Sequence, residues 1–169
     1  MTNIYGDNEQ QQSSITSTNY DCVIEFDLSG PKQSLLELVR TVKDVVDARP
    51  DEATITLYFV AGKNLTDNDW SALIDYIAGL PNPINVAYRG YIHPESLKIL
   101  TNFNNLALDK DGKFLYLADK VNLMLKLLKG HPDRFRSFLE RWIEKYNEVE
   151  RSEFSIDELR ALGFEFETI

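Results

Sequence analysis

Two stretches of the sequence decide the fold: Thr54-Ile-Thr-Leu-Tyr-Phe-Val-Ala-Gly62 and Ile84-Asn-Val-Ala-Tyr-Arg-Gly90-Tyr-Ile-His-Pro94-Glu-Ser96. Each opens on β-branched and aromatic residues that suit a pleated, half-buried backbone, and each reaches a glycine where the chain can turn. Between them Trp70, Leu73, Ile74 and Ile77 recur at helical spacing. Thr66 or Asp67 stands ready to cap that helix. The breaker cluster Gly79-Leu-Pro-Asn-Pro83 ends it before the second strand begins. Two strands joined by a single helix imply parallel pairing, because antiparallel neighbours need only a tight turn.

The same alternation extends in both directions. Upstream, Val23, Ile24 and Phe26 make a short strand closed by Ser29-Gly30, and Pro31 suits the first turn of a helix. Leu35, Leu36, Leu38, Val39, Val42, Val45 and Val46 give that helix its apolar stripe, and Arg49-Pro50-Asp51 ends it. Downstream, the first strand is expected to span Ile55 to Val60 and the second Ile84 to Tyr88, with a short helix from about Pro94 to Leu100. Leu106–Leu108 and Phe114–Leu117 read as strands joined by a turn at Asp109-Lys-Asp-Gly112. Helices over about Lys120–Leu128 and Asp133–Tyr146 follow, split by Gly130-His-Pro132. Ser155-Ile-Asp-Glu158 has the form of a capping box, opening a short helix that stops at Gly163 before a terminal strand, Phe164–Thr168.

Residues 1–19 are polar and poor in aliphatics, so a disordered tail is expected there. Residues 20–169 are expected to form a single α/β domain, a largely parallel sheet covered by helices.

Composition narrows the partners. A net charge of −9 argues against nucleic acid or an anionic membrane surface. No apolar run reaches the roughly 18 residues that a membrane span requires. Cys22 is the only cysteine, so no internal disulfide can form, and it reads as a small buried apolar residue. With two histidines and no CxxC, no metal site is expected. The N-terminus has neither a basic start nor an apolar stretch, so no signal peptide is expected and the cytoplasm is the default location.

From Tyr20 onward, four motifs in this order resemble the Clp protease/crotonase superfamily. Leu57-Tyr-Phe-Val60 is similar to the Clp strand that leads into the oxyanion loop. Phe59-Val-Ala-Gly-Lys-Asn-Leu65 resembles the crotonase loop F-x-A-G-x-D-L, with Asn64 replacing the acid. Asn82-Pro-Ile-Asn-Val-Ala-Tyr-Arg-Gly90 resembles the strand that both branches end with glycine. Phe154-Ser-Ile-Asp-Glu-Leu-Arg-Ala-Leu-Gly163 resembles the closing helix. The resemblance implies a ββα spiral, and assembly into a homo-oligomer, since Clp subunits form heptamers and crotonases trimers.

The resemblance also implies where a site would lie. In the Clp branch the nucleophilic serine falls four residues after the glycine, which here is Pro94. The base histidine maps near Asp119 and the orienting aspartate near Arg151, while the glycine pair of the oxyanion loop maps onto Lys63-Asn64. A serine peptidase needs a hydroxyl, an imidazole and a carboxylate in those roles, and proline, aspartate and arginine supply none of them. The crotonase branch needs two backbone N–H groups to hold a thioester oxygen as it becomes an enolate. Ala61, beside Gly62, would supply one. The other position is again Pro94, which has no N–H. Removing one such donor costs about two to three orders of magnitude in rate.

The expected function is therefore a non-proteolytic binding or assembly module, with no cofactor and with a peptide or acyl-CoA as candidate ligand. An acyl-CoA enzyme, or a peptidase with a rearranged site, is the alternative. For the latter, Ser96 lies six residues after Gly90, with His93 nearby. The simpler reading makes Ser96 part of the first turn of a helix begun by Pro94-Glu95. His131 reads as a loop residue or helix cap. The pairs Asp67/Asp69 and Asp109/Asp111 lack the distal glutamate of a calcium loop and read as a cap and a turn. The stripe Phe135, Phe138, Leu139, Trp142, Ile143 and Tyr146 reads as core or as a subunit contact.

Overall fold

The computed structural model describes residues 2–5, 21–127, 134–146 and 153–169. The described residues form eight strands and six helices, which keep the expected alternation and add β1 and β7 to it: β1 (Thr2–Tyr5), β2 (Cys22–Asp27), α1 (Leu35–Asp47), β3 (Ile55–Ala61), α2 (Trp70–Ala78), β4 (Ile84–Ile92), a 3-10 turn (Pro94–Ser96), α3 (Leu97–Asn102), β5 (Asn105–Leu108), β6 (Lys113–Leu115), α4 (Ala118–Leu127), α5 (Arg134–Tyr146), β7 (Glu153–Ser155), α6 (Asp157–Arg160) and β8 (Glu167–Thr168). The main sheet runs β1-β2-β3-β4-β5-β8, parallel except for β1. It is a largely parallel sheet flanked by helices.

Sequential strands joined by single helices step steadily across the sheet. A right-handed crossover repeated in one direction sets every crossover helix on the same face, and α1 lies against α2 and α2 against α3. Strand alternation matches that layering. Ile24, Phe26, Ile55, Leu57, Phe59, Val86 and Tyr88 are fully buried beneath Leu38, Val42, Leu73, Ile74 and Ile77. The intervening residues Val23, Glu25, Thr56, Tyr58, Val60 and Ala87 are half-buried, and Arg89 is exposed. One sheet face is core and the other stays half-open.

β4 belongs to two sheets. Its Asn85–Tyr88 half pairs with β5, whereas Tyr91 and Ile92 pair with β6 in a small sheet completed by β7. The bend falls at Gly90, where φ is +98° and a Cβ would collide with the Ala61 carbonyl oxygen. Only glycine fits there. The small sheet buries Phe114 and Phe154 against Trp142 and Tyr146 of α5, with ring centroids 4.3–5.6 Å apart. The α5 stripe, insofar as it is described, is core.

Several local expectations are corrected. The tail contains a strand: Thr2–Tyr5 pairs antiparallel with β2, and residues 6–20 lie outside the described residues. Helix α1 starts after Ser34, not at Pro31, because the Ser34 hydroxyl accepts the Glu37 N–H at 3.2 Å. Helix α2 is not capped by Thr66 or Asp67. Thr66 is turned away, donating both its N–H and its hydroxyl to the Leu28 carbonyl, and Asp69 takes the cap position. β4 runs past Tyr88 to Ile92 because β6 gives its second half a partner. β5 and β6 do not pair with each other across the Asp109–Gly112 turn; each lies parallel to a different half of β4. The capping box is half formed: Glu158 accepts the Ser155 N–H at 3.2 Å, but Ser155 ends β7 and Ile156 precedes the helix.

Candidate functional site

The carboxyl ends of β3 and β4 meet at one place, where open α/β sheets usually bind ligands. Ala61 closes β3, is buried, and lies in register with Gly90. Beyond it the loop is tied down by a residue with no local signal in the sequence. The Ser29 hydroxyl accepts the Gly62 N–H at 2.8 Å and donates to the Asn64 carbonyl at 2.7 Å. The Gly62 amide is thus already paired. Lys63 is exposed and bonds Glu153 at 2.7 Å, and that contact raises its pKa. The Asn64 side chain is exposed and only its backbone carbonyl is tied down.

His93 follows β4 and is buried. Its Nε2 lies 2.9 Å from the Gly62 carbonyl oxygen. A carbonyl can only accept, so Nε2 carries the proton. Burial lowers the imidazole pKa, partly offset by the bond to Gly62. The ring is therefore neutral near pH 7 and bridges the ends of the two strands.

The next turn settles the direction of a buried hydrogen-bond chain. The Tyr88 hydroxyl lies 2.7 Å from the Tyr91 carbonyl and 2.8 Å from Ser96 Oγ. Tyr88 has one proton and must give it to the carbonyl, so Ser96 donates to Tyr88. Ser96 Oγ in turn accepts a long, 3.4 Å bond from the His93 N–H. Burial raises the Tyr88 pKa, so the phenol keeps that proton. The proton of Ser96 is committed to Tyr88, and the His93 Nε2 proton to the Gly62 carbonyl. These two residues are brought close without forming a nucleophile and base.

Pro94 is buried at the start of the 3-10 turn. Asp119 is exposed in the first turn of α4. The structure thus gathers Ala61, Gly62, Gly90, His93, Pro94 and Ser96. Arg151 and His131 lie outside the described residues.

Beside this junction is a cleft of about 530 Å³. Leu65, Trp70 and Met124 give it an apolar wall, and Asp67, Glu95, Lys98 and Lys120 a charged rim. Lys120 bonds Glu95 at 2.9 Å, joining α4 to the Pro94 turn. Lys98 bonds Asp75 and Ser71, joining α3 to α2. Sequence reasoning missed this rim, because its residues come from two helices, the 3-10 turn and a loop and only folding brings them together. A second depression of about 640 Å³ lies on the half-open sheet face, between Asn85, Asn105, Glu165 and Glu167. Among the described residues no cluster of histidine, cysteine and carboxylate side chains could hold a metal, and no helix is long and apolar enough to cross a membrane.

The fold can be compared with solved structures. A crystal structure of an enoyl-CoA hydratase/isomerase family member matches with a TM-score of 0.53 at 16% identity. The match covers 87% of this chain and 66% of that one, so this chain spans just under two thirds of its neighbour's length. The fold is crotonase-like. No protein-family model matches the sequence, and no curated protein resembles it. The Ala61–Gly62 loop and the turn begun by Pro94 lie at neighbouring strand ends, linked by the His93 Nε2 contact to the Gly62 carbonyl.

Proposed function

We propose that this chain is a binding or assembly module on the crotonase-like fold that performs neither peptide nor thioester chemistry. One observation carries the reading: the turn that follows β4, joined to the Gly62 loop through His93, begins with the buried Pro94, whose nitrogen cannot donate a hydrogen bond. Two further contacts support it. The Gly62 N–H is held by Ser29, and Ser96 gives its proton to Tyr88. A peptidase would need that hydroxyl free and an imidazole turned toward it. The adjacent cleft offers a ligand an apolar wall of Leu65, Trp70 and Met124 and a rim of mixed charge, in which Lys98 is paired with Asp75 and Lys120 with Glu95.

The test combines a fluorophosphonate probe, unfolded casein and short fluorogenic peptides. No labelling and no cleavage is the expected result. Labelling lost on Ser96→Ala would overturn the reading.

The enoyl-CoA hydratase/isomerase neighbour favours a second reading, an acyl-CoA enzyme using Ala61 and another donor near Glu95. Thermal shift with CoA, acetyl-CoA and crotonyl-CoA separates the two, since a site ligand stabilises by mass action. Turnover of crotonyl-CoA would favour the enzyme. A shift without turnover would favour the binding module.

A further inference from the structure

The half-open face of the main sheet is unusual for parallel strands, which are ordinarily covered on both faces. At its centre β3 presents Thr56, Tyr58 and Val60, all half-buried. On one side β2 presents Glu25 and the exposed Asp27; on the other β4 presents Ala87 and the exposed Arg89. Register sets these in rows: Glu25, Tyr58 and Ala87 lie abreast, as do Asp27, Val60 and Arg89. Arg89 forms no ion pair among the described residues. Asp27 uses Oδ1 for the Ser29 N–H, which leaves Oδ2 for another donor.

We propose that this face is the interface of a two-fold dimer, occupied by the same face of a second copy. A two-fold axis lying between two facing sheets and running along β3 sets β4 of one copy over β2 of the other. Arg89 then faces the second copy's Asp27 in its own row, with Glu25 one row away. The pairing occurs twice by symmetry, which is the self-complementarity an isologous contact requires. Near the axis Tyr58 and Val60 meet their own counterparts, with Ala87 beside them. Facing sheets pack about 10 Å apart with strands within about 30° of alignment. A small turn from strict alignment moves Arg89 between Asp27 and Glu25, so both orientations keep opposite charges together. This inference is independent of what the cleft at the strand ends binds.

Sedimentation velocity from about 5 to 200 µM protein, in low and high salt, tests it, with circular dichroism confirming that each variant is folded. Wild-type protein is expected to dimerise. Arg89→Glu is expected to be monomeric over that range, as is Glu25→Arg combined with Asp27→Arg. Mixing these two charge-reversed proteins is expected to restore a dimer, because opposite charges again face each other. Val60→Cys on a Cys22→Ser background is expected to cross-link to a covalent dimer with a short bismaleimide, because sheets about 10 Å apart hold the two thiols beyond disulfide reach. A wild-type monomer throughout would overturn the proposal. So would a dimer indifferent to charge reversal, a Val60→Cys protein that does not cross-link, or a monomer whose face takes up a basic peptide instead.

Discussion

The imidazole Nε2 of His93 lies 2.9 Å from the carbonyl oxygen of Gly62, joining the end of β4 to the loop that follows β3. The partner of that loop on its other side is Ser29, at the end of β2. Three successive strand ends are thereby held by one serine and one histidine. Side chains of that kind, in a cleft at strand ends, invite assignment as catalytic groups. Their hydrogen bonds fix the backbone that frames the cleft.

The His93 contact makes stability depend on pH with a definite sign. Burial holds the folded-state pKa below the ordinary value near 6.5. Between those two values the unfolded chain binds a proton that the folded chain does not, so stability falls as pH drops below about 6.5. Above that value the contribution is constant. Urea unfolding from pH 8 to pH 5 should show the decline in wild-type protein and a flatter profile in His93→Gln. Equal slopes in the two proteins would exclude His93 as the cause.

The frame was legible because β3 and β4 are rich in β-branched and aromatic residues, and because α1 and α2 have apolar stripes at helical spacing. Pro94 was legible because a missing N–H is a property of one residue. Other features were not legible, for physical reasons. β7 has three residues and pairs with β6 across about forty positions, so no local pattern announces it. The Asp109–Gly112 turn looks like a hairpin locally, but β4 offers a separate partner to each flanking strand. Ser29 was read as part of a turn, since its bonds to Gly62 and Asn64 span 33 and 35 residues.

Removing the Ser96 hydroxyl should have a modest effect. Ser96→Ala leaves Tyr88 still donating to the Tyr91 carbonyl and removes two buried hydrogen bonds, the one to Tyr88 and the long one from the His93 N–H, at a cost of about 1–2 kcal/mol. Tyr88→Phe strands both the Ser96 hydroxyl and the Tyr91 carbonyl, and should cost about 1–3 kcal/mol. Because the two side chains share one bond, the double variant should lose less than the sum of the singles. Chemical denaturation of all four proteins measures this directly, and strict additivity would contradict the shared bond.

Ser29→Ala tests how the loop is held. Both of its bonds are solvent-exposed, so water can replace them, and global stability should fall by no more than about 1 kcal/mol. Local order should change more. Amide exchange at Gly62 should speed up by about tenfold or more as the loop opens independently of the core, while exchange at Leu57 in β3 stays unchanged. Unaltered exchange at Gly62 would mean that the loop is held by something other than Ser29.

The two glycines at positive φ among the described residues should respond very differently to the same substitution. Gly90 and Gly163 both have φ +98°, so alanine is strained at either by about 1–2 kcal/mol. At Gly163 the added methyl meets the Arg141 guanidinium at 3.0 Å, the far end of a flexible side chain that can move aside. At Gly90 it meets the Ala61 backbone carbonyl, which is fixed within the β3–β4 ladder. Gly163→Ala should therefore fold with a loss of the conformational cost plus about 1 kcal/mol, since moving aside takes the Arg141 Nη1 from its 2.8 Å bond to the Leu162 carbonyl. Gly90→Ala should lose more than about 3 kcal/mol, because the strands must separate where β4 bends from one sheet into the next. Similar midpoints for the two variants in urea would show that the β3–β4 junction gives way more easily than its packing implies.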